Sequence, residues 1–227
     1  MGKLNLRHER KYFLTNIFYH QIERLVKINP ASFSKPYQDR IINNVYFDTP
    51  GFDYYYENVE GVSVREKARI RWYGDGEKGL SKPVLEYKNK IGLLGHKISF
   101  KLQPMTLSDS FSRKALQANL LASGVPRNFV DHFSCLRPCL MNSYHRSYFL
   151  SKNQRARVTI DSNLSFRRFI GNGKLFTQAT AKRPDAFVVE VKYAQDADEL
   201  VKDMFAEFPF SVTKSSKYVQ GMQAVFM

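Results

Sequence analysis

The stretch Lys67-Ala68-Arg69-Ile70-Arg71-Trp72-Tyr73 alternates basic and apolar side chains. In an extended strand successive side chains point to opposite faces, so Lys67, Arg69 and Arg71 share one face while Ala68, Ile70 and Trp72 share the other. The pattern recurs along the chain. Lys11, Lys88, Lys90, Lys97, Arg146, Arg157, Lys192, Lys214 and Lys217 all lie on or beside stretches that read as strands. Glu9, Glu86, Asp161 and Glu190 are the acids that share these faces by alternate spacing. A face made only for solvent would interleave acids as often as bases. The excess of bases predicts a concave surface that holds a polyanion.

Composition sets the outer bounds. The chain has 227 residues with 43% hydrophobic content, enough for one substantial core, so a single domain over residues 1–227 is expected. Lys and Arg number 35 against 21 Asp and Glu, a formal excess of +14. Such an excess concentrates anions: nucleic acid, acidic membrane or phosphate-rich small molecules. No apolar run is long enough to span a membrane and the opening residues lack a signal-peptide core, which predicts a cytoplasmic protein without a transmembrane segment. Cys135 and Cys139 lack partners at zinc-finger spacing and read as free, partly buried thiols.

The coarse element reading is strand-rich. Residues 7–13 read as a strand, followed by a helix capped at Thr15 or Asn16 and carrying Ile17, Phe18, Ile22, Leu25 and Val26. Strands are predicted at 41–47, 67–73, 84–90 and 96–100, with Gly92-Leu93-Leu94-Gly95 as a hairpin connection. Helices follow at 107–122, with Gly124 as a stop, and at 128–133. Strands return at 141–150, 155–161, 165–170, 174–178 and 187–193, with Gly171-Asn172-Gly173 as a turn. Asp196-Ala197-Asp198-Glu199 resembles a capping box for a helix ended by Pro209. A last strand is expected at 210–214, then a helix capped by Ser216. Many antiparallel-type strands with few helices predict an α+β fold around one large sheet or barrel.

Guanidinium groups bind phosphate oxygens bidentately and lysines add mobile positive charge, so a mixture of both suits a chain of phosphates. Buried cations need water or a bound anion beside them, because an unpaired buried ion is costly. A carboxylate among such cations is explained by a divalent metal that bridges it to phosphate oxygens. No Ser-His-acid or Cys-His set stands out as a nucleophilic centre. Tyr54, Tyr55 and Tyr56 beside a basic sheet allow base stacking, which keeps a non-catalytic polyphosphate or nucleic-acid binder as an alternative. No specific nucleic-acid motif is found.

At these residues the chain resembles the catalytic domain of the vacuolar transporter chaperone complex, a polyphosphate polymerase of the triphosphate tunnel metalloenzyme superfamily. Arg69-Ile70-Arg71-Trp72-Tyr73-Gly74 is similar to its Arg-x-Arg-Trp-Tyr-Gly strand, and Glu86-Tyr87-Lys88 to its Glu-x-Lys strand. Glu9-Arg10-Lys11-Tyr12, Tyr144-His145-Arg146, Arg157-Val158-Thr159-Ile160-Asp161, Val189-Glu190-Val191 and Lys214-Ser215-Ser216-Lys217-Tyr218 resemble further motifs in the same order. The resemblance implies an antiparallel eight-stranded β-barrel tunnel with a few helices packed outside. It implies catalytic roles for Arg69, Arg71, Lys88, Arg146 and Arg157, and substrate binding by Lys11, Lys97, Tyr144, Lys214, Ser216 and Lys217. It implies that Glu190 holds Mn²⁺ or Mg²⁺, and that the substrates are ATP and inorganic polyphosphate or triphosphate. The superfamily opens with Glu-x-Glu-x-Lys, whereas this chain has Arg7 in place of the first acid and keeps only Glu9. Fewer carboxylates favour the polymerase over a tripolyphosphatase or nucleoside triphosphatase of the same fold.

Overall fold

Burial alternates along Ala68–Tyr73, whereas Arg40–Asp48 is buried on consecutive residues. The structure is a computed structural model, and it describes residues 7–74, 79–91, 94–106, 112–170, 174–194, 202, 205 and 208–226. The described strands are β1 (Arg7–Leu14), β2 (Arg40–Asp48), β3 (Val64–Arg65), β4 (Ala68–Tyr73), β5 (Val84–Ile91), β6 (Leu94–Lys101), β7 (Arg137–Leu150), β8 (Ala156–Ile170), β9 (Lys174–Arg183) and β10 (Phe187–Ala194). The described helices are α1 (Tyr19–Lys27), α2 (Asp53–Glu60), α3 (Arg113–Ala122), α4 (Arg127–Ser134) and α5 (Lys217–Phe226). The class is α+β with a mostly antiparallel sheet. The turn expected at 171–173, the capping motif at 196–199 and the apolar positions Leu107 and Phe111 lie outside the described residues.

The chain divides into two compact units, each assembled from three separate segments. The first unit comprises Met1–Arg40, Tyr144–Leu164 and Arg183–Ser215. Its strand order is β1-β10-β8-β7. Tyr12, Leu14, Val158, Ile160, Val189, Val191 and Tyr193 point to one face, where they pack with Phe149, Phe205 and with Ile22 and Val26 of α1. Each fully buried aliphatic or aromatic side chain here contributes roughly 1.5–3 kcal/mol. The opposite face is left to Glu9, Lys11, Arg157, Thr159, Asp161, Glu190 and Lys192.

The second unit comprises Ile41–Ser143, Ser165–Lys182 and Ser216–Met227. Its strand order is β7-β2-β4-β5-β3, with β6 beside β5 and β9 beside β8. Ala68, Ile70, Trp72, Leu85 and Tyr87 are buried on the apolar face. Asp48, at the end of β2, is fully buried and gathers three backbone N–H groups, from Thr49, Tyr54 and Tyr55, together with the hydroxyl of Tyr218. Burial still holds its pKa above the ordinary carboxylate value despite these donors. Asp48 thus ties β2 to the start of α2 and to α5. Helix α5 also packs very closely: a Cβ built on Gly221 would lie 2.5 Å from both Leu140 Cδ2 and Phe166 Cδ1.

Several elements differ from expectation. Helix α1 starts at Tyr19, after Phe18, and no side chain of Thr15 or Asn16 caps it. Asn16 takes a left-handed φ of 57°, so the chain turns before the helix begins. The Phe18 N–H is satisfied by the Gln21 side chain at 2.9 Å instead. The expected strands at 155–161 and 165–170 are one strand, β8, which passes through Asn163 at φ 52° without ending. Residues 210–214 form no strand. Thr213 joins β1: its N–H donates to Lys11 O at 2.7 Å and its hydroxyl accepts the Phe13 N–H at 2.9 Å. Cys135 is exposed and Cys139 buried, both as free thiols.

Candidate functional site

In the second unit, β4 lies between β2 and β5, with Tyr46 opposite Arg69, Arg69 opposite Glu86, and Asn44 opposite Arg71. This register gathers the long cations of β4 around one carboxylate. Arg69 Nε and Nη2 reach Glu86 Oε2 at 2.8 and 2.6 Å, Arg71 Nη1 lies 3.8 Å from the same oxygen, and Lys97 Nζ takes Oε1 at 3.0 Å. Burial pushes the Glu86 carboxyl upward, but Arg69, Arg71 and Lys97 more than offset it and hold the pKa at about 2. Glu86 is therefore a fixed anion that aims two guanidinium groups. Lys88 sits opposite Lys97 and exchanges both backbone hydrogen bonds with Lys67, but its side chain is exposed.

Ser216 stands at the start of α5. Its carbonyl accepts the Gln220 N–H at 2.9 Å, its Oγ accepts the Val219 N–H at 3.4 Å, and Lys67 Nζ donates to that Oγ at 2.9 Å. Lys217 is the first helical residue and is half-buried. A helix N-terminus next to an ammonium group favours an anion.

In the first unit, β10 runs between β1 and β8. Glu190 faces Lys11 on one side and Thr159 on the other, and Lys192 faces Glu9 and Arg157. Lys192 contacts the Glu190 carboxylate and lies 3.6 Å from Glu9 Oε2, while Lys11 Nζ lies 2.6 Å from Glu9 Oε1. Burial raises the pKa of Glu190, but Lys192, Arg146 and Lys11 outweigh it and hold the group well below the ordinary carboxylate range. Arg146 grips the fully buried Asp161 with two nitrogens, at 2.5 and 2.7 Å, and lies over the Tyr144 ring at 5.3 Å. Lys11 also donates to Ser215 O at 3.4 Å. Lys214 is exposed.

The structure brings Arg69, Arg71 and Lys97 around Glu86, and Lys11, Arg146, Tyr144 and Glu190 onto one patch with Arg157 in its ladder. Lys192 and Lys67 were named on the cationic faces but given no binding role, and Asn44 was not named. Lys192 follows Glu190 by the strand spacing and Lys67 opens the cationic strand, so both were signalled. Asn44 was not, because only register reveals it. Tyr54 and Tyr55 are buried, and the Tyr54 hydroxyl pairs with His132 Nε2 at 3.0 Å, so neither ring is available to stack on a base.

The fit of a divalent cation can be tested on the first unit. Its donors are oxygens, as Mg²⁺ and Mn²⁺ prefer. Thr159, directly across from Glu190, has a buried hydroxyl with no hydrogen-bond partner among the described residues. Among the described residues no three His, Cys, Asp or Glu side chains converge as a cage. The oxygens of Glu190, Glu9 and Thr159 are of the kind these ions take, with too few of them to enclose one.

A protein from Hippeastrum, described as having a dominant triphosphatase activity, superposes with a TM-score of 0.55 at 15% identity, covering 96% of each chain. The PH1819 protein of Pyrococcus horikoshii OT3 gives 0.54 at 12% identity, covering 95% of this chain and 99% of that one. These likenesses carry the fold alone. Subunit 4 of the vacuolar transporter chaperone complex of Schizosaccharomyces pombe is 23% identical over 234 residues, covering 83% of this chain. The chain spans about a third (32%) of that relative's length. No described helix is long and apolar enough to cross a membrane. The pattern that defines the VTC domain matches residues 6–226, and the chain belongs to the VTC domain family.

Proposed function

We propose that the chain is a metal-dependent phosphotransferase that moves the γ-phosphoryl group of ATP onto the end of an inorganic polyphosphate chain. The observation that carries this reading is Glu86 with its three cations. One acid orients Arg69, Arg71 and Lys97, and the positive charge it leaves over is matched by phosphate oxygens. Family membership supports the same substrate class.

Phosphoryl transfer needs little covalent chemistry from a protein, and positioning with electrostatic stabilisation supplies most of the rate. Arg69 and Arg71 hold nonbridging oxygens, and Glu86 keeps both guanidinium groups from turning away. Ser216, Lys67 and Lys217 hold phosphate oxygens at the start of α5. In the first unit Arg146, fixed by Asp161, and Lys11 hold charge beside Glu190, with Arg157, Tyr144 and Lys214 as further contacts; in the second unit Lys88 is a further contact. Glu190, with Glu9 and the Thr159 hydroxyl near it, is where Mn²⁺ or Mg²⁺ would be held. Such an ion, when bound, neutralises charge on phosphate oxygens. Use of ATP fits a cytoplasmic setting.

The test is to incubate the pure protein with ATP and Mn²⁺ and to resolve products by gel and phosphate assay. A ladder of long chains is expected. Free phosphate alone would assign the second reading, hydrolysis of a triphosphate, in which water enters in place of the growing chain. Neither product would leave a polyphosphate-binding module.

A further inference from the structure

A guanidinium group donates hydrogen bonds and accepts none, and this fixes the sense of a buried relay in the second unit. Arg71 Nε donates to Asn44 Oδ1 at 2.8 Å. Asn44 must then offer its nitrogen to its other neighbour, and Nδ2 donates to Asn142 Oδ1 at 2.7 Å. The carbonyl of Asn142 is thereby occupied, which leaves its amide nitrogen as the end of the relay. That Nδ2 has no hydrogen-bond partner among the described residues. Asn44 is fully buried and Asn142 is 1% exposed. Turning either amide over would set N–H against N–H, so the donor cannot be removed by a flip. Two buried N–H donors without an acceptor are unfavourable, and native structures rarely keep them without a reason. What is missing is an oxygen.

We propose that Asn142 is a further substrate-binding residue, whose amide donates to a nonbridging oxygen of the phosphate chain held by Arg71. Asn44 is the positioning residue that sets the direction of both donors. This rests on the reading that the face bearing Arg71 binds a phosphate chain. A neutral amide adds direction rather than charge, which complements the mobile lysines of the same unit. It also rejects a cation, since it presents only N–H groups.

The test uses the full chain, ¹⁵N-labelled, titrated with inorganic tripolyphosphate while the arginine Nε–H and asparagine amide resonances are followed. The Asn142 amide pair is expected to shift on saturation together with Arg71 Nε–H. Asn142→Asp keeps an acceptor for Asn44 but replaces the free donor with a carboxylate oxygen, and tripolyphosphate binding should weaken by roughly tenfold to a hundredfold. Asn44→Asp keeps the acceptor for Arg71 but reverses the relay, so that Asn142 presents its carbonyl. Binding should fall by a similar factor while Arg71 Nε–H keeps its protection from exchange, which a loss of folding would abolish. If Arg71 Nε–H shifts and the Asn142 amide does not move, the proposal is overturned and the phosphate site stands. If neither resonance responds to tripolyphosphate, the phosphate site falls with it.

Discussion

Glu86 and Glu190 are both buried carboxylates on cationic sheet faces, yet their surroundings are built differently. Glu86 is one acid shared by Arg69, Arg71 and Lys97. Glu190 belongs to a set in which acids and bases nearly balance: Glu9 with Lys11, Asp161 with Arg146, and Lys192 between Glu9 and Glu190. The first arrangement leaves cationic capacity over, which suits gripping an anion. The second uses its cations to keep carboxylates ionised, which suits holding a metal. One strand pattern, alternating charged and apolar residues, therefore yields two charge balances according to how many acids the register brings in.

The sharpest way to break this contrast is Arg71→Ala. It removes a donor aimed by Glu86 and should lower turnover by about 10²–10³-fold, with the circular dichroism spectrum unchanged. A wild-type rate in the pure variant would remove the second unit from the catalytic assignment. In the first unit, Asp161→Asn should act on stability. It leaves Arg146 buried without its anion, and denaturant titration should show a loss of about 3–5 kcal/mol. Glu190→Gln is milder for the fold but should raise the Mn²⁺ concentration needed for half activity on the order of tenfold, read by titration after chelation. An unchanged metal requirement would break the pairing of that region with the metal.

A further effect is on pH dependence. The Glu86 pKa lies at about 2 in the folded chain against an ordinary 4.5. A depressed folded-state pKa contributes stability that is full above about 4.5 and is lost as pH falls toward about 2. Glu86→Gln should therefore flatten the acid limb of the stability curve in that window, measured by urea midpoints at stepped pH. A limb unaltered by the substitution would show that the three cations do not stabilise Glu86 as their distances indicate.

The contrast also shows which parts of the molecule could be read in advance. β4, β5 and β10 were legible because one face had to be apolar, and that requirement is written in alternate residues. The start of α1 was not, because its first residue follows Phe18, which has no capping oxygen. β8 was divided at Asn163 because a polar residue there reads as a turn, whereas the strand absorbs its left-handed φ and continues. The charged candidates could be named for the same reason as the strands. Asn44 and Asn142 were not. Their meaning depends on 98 residues of sequence separation being closed by strand pairing, and neutral amides carry no charge signal to suggest it.

Gly221 gives the second unit a fixed clearance. Where helix and strands touch through a bare Cα, the last helix has one seating depth, and the hydroxyl and ammonium at its leading end inherit that depth. Bulk added at this contact would be read out at the opposite end of the helix, as a misplaced grip. The absence of a side chain is thus a dimensional tolerance on which the placement of Ser216 relies.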